Sequence, residues 1–298
     1  DKGQREDWFA SNFIRGFFVL MVIELIAGIL WEVREKEPVV DLKMLKDRNF
    51  AIATTAMFFL GFVLYASTVL IPQLLQQLMG YTAQLAGLAL SPGGAVIMCM
   101  MPVVGFLVSK LDTRILISFG CIVSASALFV MAGWDLGLDY RHAVEARMLQ
   151  SFGLAFLFIP INVAAFAYVP KEKTNMGTGI INLARNVGAS VGIAFVTTML
   201  DRRAQFHTAR LTERANELSA AYHNMLNGIQ LKLVSAGSTA AHASAQAQGM
   251  IYGTIQRQAA MLAFLEDFKM LGVVFFAVIP ILLLMRKPRV SKGAMPVH

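Results

Sequence analysis

Polar and charged side chains lie inside long apolar stretches at positions where they could contact a polar ligand. Arg185 stands well inside such a stretch, with Asn182 and Asn186 beside it. A cation at membrane depth is costly unless it is paired or faces water. We therefore expect Arg185 to face a polar cavity, with a structural ion pair as the alternative. The expected polar-cavity set is Arg185, Gln150, Asn162, Asn182 and Gln73.

One carboxylate, Glu24, lies near the middle of an apolar stretch. An ionisable group at that depth is by default a candidate for proton binding. Glu24 is therefore a candidate proton site.

The sequence contains no residue pattern typical of a soluble enzyme. The histidines lie in links or tails without the HExxH spacing of metal sites, and no Ser/His/Asp arrangement or Walker A sequence occurs. Cys99 and Cys121 fall within apolar runs, as small buried hydrophobes do. We expect no enzymatic activity, no metal site and no cofactor. The five histidines are His142, His207, His223, His242 and His298.

The composition is that of a membrane protein. Hydrophobic residues make up 56% and charged residues 15% of the 298 residues, far from the balance of soluble domains. The net charge of +7 comes largely from Lys and Arg in short links between apolar stretches. Because these stretches are expected to lie in a bilayer, we expect contact with membrane lipid and no nucleic-acid partner.

Seven stretches are long enough to cross a hydrocarbon core as helices, which takes about 20 residues each. This predicts an all-α integral membrane fold. The chain opens on the charged string DKGQREDW without an initiator Met or signal peptide, and we interpret it as a piece whose upstream part is missing. The predicted spans are 13–31, 50–71, 83–109, 114–134, 147–169, 177–200 and 262–285.

Lys and Arg in the short links predict the topology. Thirteen of them fall in one set of links, whereas the opposite short links hold only Arg141, apart from cations in or just after the leader. Short loops rich in Lys and Arg are cytoplasmic. The N-terminus is thus predicted outside, the C-terminus inside, and 201–261 outside. The thirteen are Arg34, Lys36, Lys43, Lys46, Arg48, Lys110, Arg114, Lys171, Lys173, Arg286, Lys287, Arg289 and Lys292.

Prolines interrupt several of the predicted spans and favour a transporter. Broken helices persist in a bilayer where neighbours or a wet cavity satisfy the freed backbone groups, and in transporters they mark substrate sites. Ordinary kinked packing is the alternative for any one of them. The prolines are Pro72, Pro92, Pro102, Pro160 and Pro280.

The string PQLLQ at 72–76 is followed by GYTA at 80–83, AGL at 86–88 and PGG at 92–94. This pattern resembles the EmrB/QacA-type drug:proton antiporters, the fourteen-helix branch of the major facilitator superfamily, over essentially the whole chain. The resemblance implies that residues 1–48 hold a leader, one extra transmembrane helix and a cytoplasmic link. It implies that residues 49–298 form the C-terminal six-helix half.

Three decayed superfamily motifs fall on their expected helices. Gly105, Lys110, Asp112 and Arg114 resemble the cytoplasmic loop motif, with Ser109 where an acidic residue is expected. The string at 147–150 resembles the RxxQG motif, with Ser151 in place of its glycine. Gly179, Gly188 and Gly192 keep the glycine spacing of the antiporter motif, with Ile193 in place of its proline, and as a stripe of small residues they predict helix packing.

By this resemblance the chain belongs to an inner-membrane exporter of amphipathic drugs driven by protons, and the polar-cavity set is its substrate cavity. In Gram-negative relatives the resemblance implies a periplasmic adaptor and an outer-membrane channel as partners. One alternative is a membrane subunit with mainly a docking role in such an assembly. Another is export of a non-drug cargo such as a siderophore or a lipid.

The long outer segment, 201–261, carries its own prediction. Apolar residues at three- and four-residue steps from Asp201 to Gln230 predict an amphipathic helix. The small and polar residues from Ser235 to Gln248 predict a flexible link, with a turn at Gly237-Ser238. The apolar face is expected to lie on the lipid interface or on a partner helix.

Overall fold

A computed structural model describes residues 11–34, 41–215 and 220–286. These residues form helices and no strand, which confirms the predicted all-α membrane class. Short 3-10 helices occur at Leu42–Lys46 and Lys171–Lys173. The α-helices are α1 (Asn12–Arg34), α2 (Arg48–Gln77), α3 (Ala83–Leu88), α4 (Ser91–Lys110), α5 (Thr113–Met131), α6 (Tyr140–Phe166), α7 (Thr174–Arg214), α8 (Ala220–Ser235) and α9 (Ala240–Leu283).

Side-chain caps fix where three of these helices begin. Asp47 Oδ1 accepts a hydrogen bond from Phe50 N at 2.9 Å, at the start of α2. Asp112 Oδ1 accepts from Arg114 N at 3.1 Å, at the start of α5, and Thr82 caps α3 in the same way. Such caps satisfy backbone donors that have no partner within the helix, and the carboxylates also complement its dipole.

Five helical segments in the described residues are long and apolar enough to cross a membrane. They are Arg48–Gln77, Ala83–Lys110, Thr113–Met131, Tyr140–Phe166 and Thr174–Glu213. The first and last of the seven predicted spans are not among them, so the number seven stays a prediction. In the last, Glu266, Asp267 and Lys269 place three ionisable side chains near the start of the predicted span.

Contacts between the ends of the helices define two ends of a bundle. At the basic end, Lys173 Nζ pairs with Asp41 Oδ2 at 2.7 Å, and Asn49 bonds to the backbone of Arg286. At the opposite end, called the hairpin end, Tyr140 Oη donates to Leu85 O at 3.2 Å. The described parts of the links that sequence reasoning assigned to one side of the membrane therefore lie at one end of the bundle. Four of the thirteen cations, Lys36, Lys287, Arg289 and Lys292, lie outside the described residues.

Helix α2 lies at the centre of the packing, against α6, α7 and α9. Phe50, Met57 and Leu70 of this helix are almost fully buried in the main core. By contrast, α1 has no extensive packing partner among the described helices and exposes large apolar side chains such as Phe17 and Trp31. The link before α2 does join the core, because Met44 is buried in it.

The outer segment is helical where a flexible link was predicted, and that part of the prediction is wrong. Helix α7 continues unbroken to Arg214, and α9 already begins at Ala240. Gly237, at φ +99°, makes the predicted turn between α8 and α9. Ala243 and Ala247 are fully buried, so small residues that suggested a flexible link instead allow close helix packing. We call 201–214, α8 and 240–261 the extended hairpin.

Candidate functional site

A polar network joins α6 to α2 inside the apolar core. Arg147 Nη1 donates to Gln150 Oε1 at 2.7 Å, and Arg147 Nη2 donates to Thr68 Oγ1 at 3.1 Å. Gln150 Nε2 donates to Ser67 Oγ at 2.9 Å. The two hydroxyls donate in turn to Leu64 O of their own helix. Each hydroxyl is thus a donor within α2 and an acceptor toward α6.

This network holds a positive charge away from water. Arg147 is 6% exposed and Gln150 is fully buried, and no carboxylate in the described residues pairs with the guanidinium. An arginine stays charged in a protein interior. Helix α4 encloses the network from the side, because a Cβ on Gly93 would lie 2.5 Å from Ser151 Oγ and 3.2 Å from Arg147 Cγ.

Arg185, the principal residue of the predicted cavity, lies on α7 where that helix packs closely on α2. Its Nε is buried and has no hydrogen-bond partner in the described part of the chain. Its backbone oxygen lies directly against Gly61 of α2. Gly188 and Gly192, one and two turns further along, lie against the backbone oxygens of Phe58 and Phe62. The missing side chains of these glycines allow the close approach that fixes the backbone of Arg185.

The other predicted cavity residues are dispersed. Asn162 Nδ2 donates to Phe158 O of its own helix at 2.7 Å, and Asn182 is exposed on α7. Gln73 lines a shallow groove of about 270 Å³ with Thr68, Val69, Pro72, Gln76 and Gln77, all on α2. Gln150 is enclosed in the Arg147 network and has no surface facing a cavity in this conformation. No hydrogen bond joins any two of the five predicted residues in the part of the chain described.

The residues of the loop motif lie at the turn between α4 and α5. Lys110 Nζ lies 4.2 Å from the centre of the Phe106 ring, and Asp112 caps α5. Arg114 Nε is buried without a partner in the described residues. Gly105 is exposed. The acidic group of this turn is therefore engaged with the backbone, which leaves the charges of Lys110 and Arg114 for other partners.

Two further predicted residues have no neighbour among the described residues that explains a role. Glu24 is exposed on α1. No atom lies within 4 Å of the position that a Cβ on Gly179 would take. Their roles as proton site and packing residue stay predictions.

Sequence reasoning missed Ser67 and Thr68, the partners of Arg147. Hydroxyls in an apolar helix usually bond to their own backbone, as these two do, so their types alone carried no signal. The sequence does show two adjacent hydroxyl residues in α2 and an arginine and an amide in α6. These four residues lie at similar depths in their predicted spans, which could have indicated a contact. In the described residues no cluster of His, Cys, Asp or Glu is suited to hold a metal ion.

Comparison with known proteins places this helical chain in a family. Residues 8–193 match the Major Facilitator Superfamily. The chain belongs to this superfamily. Among curated relatives, the multidrug export protein EmrB of Escherichia coli K12 is 32% identical over 93% of this chain and 54% of its own length. The fatty acid resistance protein FarB of Neisseria gonorrhoeae is 30% identical over 98% and 56%. The colistin resistance protein EmrB of Acinetobacter baumannii is 25% identical over 93% and 53%.

Within the Major Facilitator Superfamily the chain is similar to EmrB-type proteins, as the resemblance predicted. It spans about half the length of the curated relatives it matches. Membership in this superfamily places the chain among multi-pass inner-membrane transport proteins and not in an enzyme family.

Proposed function

We propose that this chain is the C-terminal part of a proton-coupled exporter of amphipathic drugs that works by alternating access. The surroundings of Arg185 carry the proposal. Its buried Nε has no partner in the described residues, and its backbone is fixed against α2. A cation held in this way requires water, a substrate or the other half of the transporter as its partner. The relatives named as multidrug export and resistance proteins support this direction.

In the proposed cavity, Arg185 is the principal polar contact, with Asn162, Asn182 and Gln73 lining the same opening between the halves. Gln150 acts indirectly by holding the guanidinium of Arg147. The two halves rock around this cavity so that it opens to one side of the membrane at a time. Protons drive the cycle, and Glu24 remains the proton site proposed from sequence.

The decisive test is substitution of Arg185 in the full-length protein. Arg185→Ala is expected to abolish drug resistance in cells while the protein still reaches the membrane. Arg202→Ala serves as the control, because Arg202 is an exposed arginine on the same helix. Unchanged resistance with Arg185→Ala would make this residue structural and remove the main support for the proposal.

For the topology, we propose that the basic end faces the cytoplasm, since short loops rich in Lys and Arg do so. A variant with Cys99 and Cys121 replaced provides a background for single cysteines. A cysteine at Ser291 should react with a membrane-impermeant thiol reagent only from the cytoplasm, and one at Ser238 only from outside. Reaction of both from the same face would contradict this topology.

The turn between α4 and α5 is proposed as a cytoplasmic gate. Lys110 and Arg114 would pair with acidic groups of the other half in one state and release them in the next, while Asp112 holds the turn as the cap of α5. Arg114→Glu should slow transport turnover more than it weakens drug binding. Weakened binding with normal turnover of bound drug would assign the turn to the binding site instead.

A second candidate is a docking role for the extended hairpin. Residues 240–261 alone would reach about 33 Å as a helix at 1.5 Å per residue, which provides a surface for an adaptor protein leading to an outer-membrane channel. Replacing residues 211–254 with a short Gly/Ser linker should abolish co-purification of that adaptor and leave the bundle folded. Retained co-purification would point to the lipid surface as the hairpin's contact.

The cargo is tested by resistance profiles. Because one relative is named for fatty acid resistance, a lipid is an alternative cargo to drugs. A siderophore is a third candidate cargo. Cells carrying the full-length protein should survive amphipathic drugs better than cells carrying its Arg185→Ala variant. Protection against fatty acids alone would favour the lipid cargo.

A further inference from the structure

Asp267, a carboxylate of α9, is buried in the apolar core. Its exposed fraction is 0%, and neither Oδ1 nor Oδ2 has a partner in the part of the chain described. Ala263, Phe264 and Leu271, one turn away on the same helix, are also buried. Burial without a hydrogen bond opposes ionisation far more than it opposes the neutral acid, so a carboxyl group in this position retains a proton.

An ion cluster lies directly beside this carboxyl group. Glu266 Oε2 pairs with Arg203 Nε at 3.2 Å, and Glu266 Oε1 lies 3.1 Å from His207 Nε2. The Arg203 and Glu266 side chains are 41% and 38% exposed, and that of His207 is 15% exposed. The ion cluster thus reaches solvent, whereas the next residue of the chain does not.

Few other charges reach Asp267 from the elements packed against α9. Helix α2 carries no charged side chain between Asn49 and Gln77, and α5 carries none from Ile115 to Met131. Glu266 and Arg203 act on Asp267 electrostatically, with opposite signs. Other titratable groups on the packed elements or just beyond them include Tyr65, Cys121, Asp135, His223, Lys232 and Lys269, and α7 also carries Arg185, Asp201, Arg202, Arg210 and Glu213.

The depth of Asp267 follows from two contacts of the α9 region with α2. Arg257 Nη2 donates to Leu78 O at 2.9 Å at the hairpin end, and Arg286 bonds to Asn49 at the basic end. Asp267 lies about 15 Å along the helix from Arg257 and about 29 Å from Arg286, at 1.5 Å per residue. The carboxyl group is therefore inside the bundle, about one third of the way from the hairpin-end contact to the basic-end contact.

We propose that Asp267 is a proton-binding site of this half and exchanges its proton with the hairpin side through Glu266 and His207. The proposal rests on the proposed function and names the place where protons from outside enter the C-terminal half. When α7 and α9 move apart and admit water, the Asp267 carboxyl passes its proton to Glu266, to His207 or to water. The carboxylate that remains is stabilised by Arg203, and the reverse transfer reloads it.

The first experiment asks whether Asp267 holds a proton. Infrared spectra of the purified full-length protein and of its Asp267→Asn variant, taken at neutral pH, should differ by the absorption of one protonated carboxyl group. Glu266→Gln is the control and should retain that absorption. Identical spectra for the wild type and Asp267→Asn would overturn the proposal. If Asp267→Asn does not fold, Asp267→Glu replaces it, and an absorption that does not shift would overturn the proposal equally.

The second experiment asks whether this proton takes part in transport. In vesicles with a trapped pH dye, addition of drug should drive proton movement by the wild type and by the exposed-site control Asp201→Asn. Asp267→Asn should lose this proton movement and retain exchange of labelled for unlabelled drug. Proton movement at the wild-type level in Asp267→Asn would overturn the role of Asp267. No proton movement in the wild type would defeat the proposed function, and the infrared result would still decide whether Asp267 binds a proton.

Discussion

The side chain of Asn49, at the start of α2, is hydrogen-bonded in both directions to the backbone of Arg286, just beyond the end of α9. Its Nδ2 donates to Arg286 O at 3.0 Å, and its Oδ1 accepts from Arg286 N at 2.7 Å. Asn49 is almost fully buried. One amide thus satisfies the backbone donor and acceptor of a residue 237 positions away in sequence.

Asn49→Ala should lower the stability of the bundle by about 1–3 kcal/mol, because it leaves a part-buried backbone donor and acceptor without partners. Asn49→Asp should be intermediate at neutral pH, since it keeps the acceptor and loses the donor. Thermal unfolding in detergent is the measurement. Asn175→Ala, at an exposed position early in α7, is the control, and an equal loss for both variants would contradict this role.

The glycines of α7 provide a matched pair of variants. A Cβ on Gly188 would collide with the backbone oxygen of Phe58, whereas one on Gly179 would meet nothing within 4 Å. Gly188→Ala is therefore expected to cost about 1–3 kcal/mol by overpacking, and Gly179→Ala to be tolerated. The yield of monodisperse protein on size-exclusion chromatography after heating distinguishes them. Equal tolerance would mean that α7 and α2 are not held so closely.

The Arg147 network predicts a non-additive result. Gln150→Leu removes the hydrogen bond that Gln150 Oε1 accepts from Arg147 and the one that Gln150 Nε2 donates to Ser67. This variant should cost about 1–3 kcal/mol. Arg147→Met combined with Gln150→Leu removes the buried charge together with its acceptor, and it should be less destabilised than the sum of the single variants. A cycle of thermal unfolding measurements on the four proteins tests this. Strict additivity would show that the two residues act independently.

The ion pair at the basic end predicts a dependence on pH. The hydrogen bond from Lys173 is the largest influence on Asp41 and holds the pKa of its carboxyl group below the ordinary 3.8. Because the folded state favours the ionised form, this contribution is fully present above that ordinary pKa and disappears as the pH falls through the lower, folded-state pKa. Lys173→Met should remove most of this stabilising contribution. The melting temperatures of wild type and variant should therefore differ at neutral pH and converge in acid. A difference in melting temperature that stays constant with pH would contradict the pairing.

Sequence determined the class of this protein because membrane insertion is governed by local properties. Long apolar runs, a scarcity of charge and the distribution of Lys and Arg act residue by residue against the bilayer. Caps such as Asp47 and Asp112, and the turn at Gly237, are local as well. The strings at 72–94 that carry the family resemblance are also runs of neighbouring residues in the sequence. The resemblance to EmrB-type proteins could therefore be recognised without knowledge of the packing.

Tertiary structure alone decided which polar residues meet. Gln150 appeared as a cavity residue, yet it pairs with Arg147 and Ser67 because α6 crosses α2 at that level. The extended hairpin followed from the packing of alanines in α9, which composition presented as a flexible link. Asp267 was overlooked because Glu266 and Lys269 beside it indicated the polar edge of a span. Burial of one carboxylate next to an exposed one depends on which face of α9 the neighbouring helices cover, and that is a property of the assembled bundle.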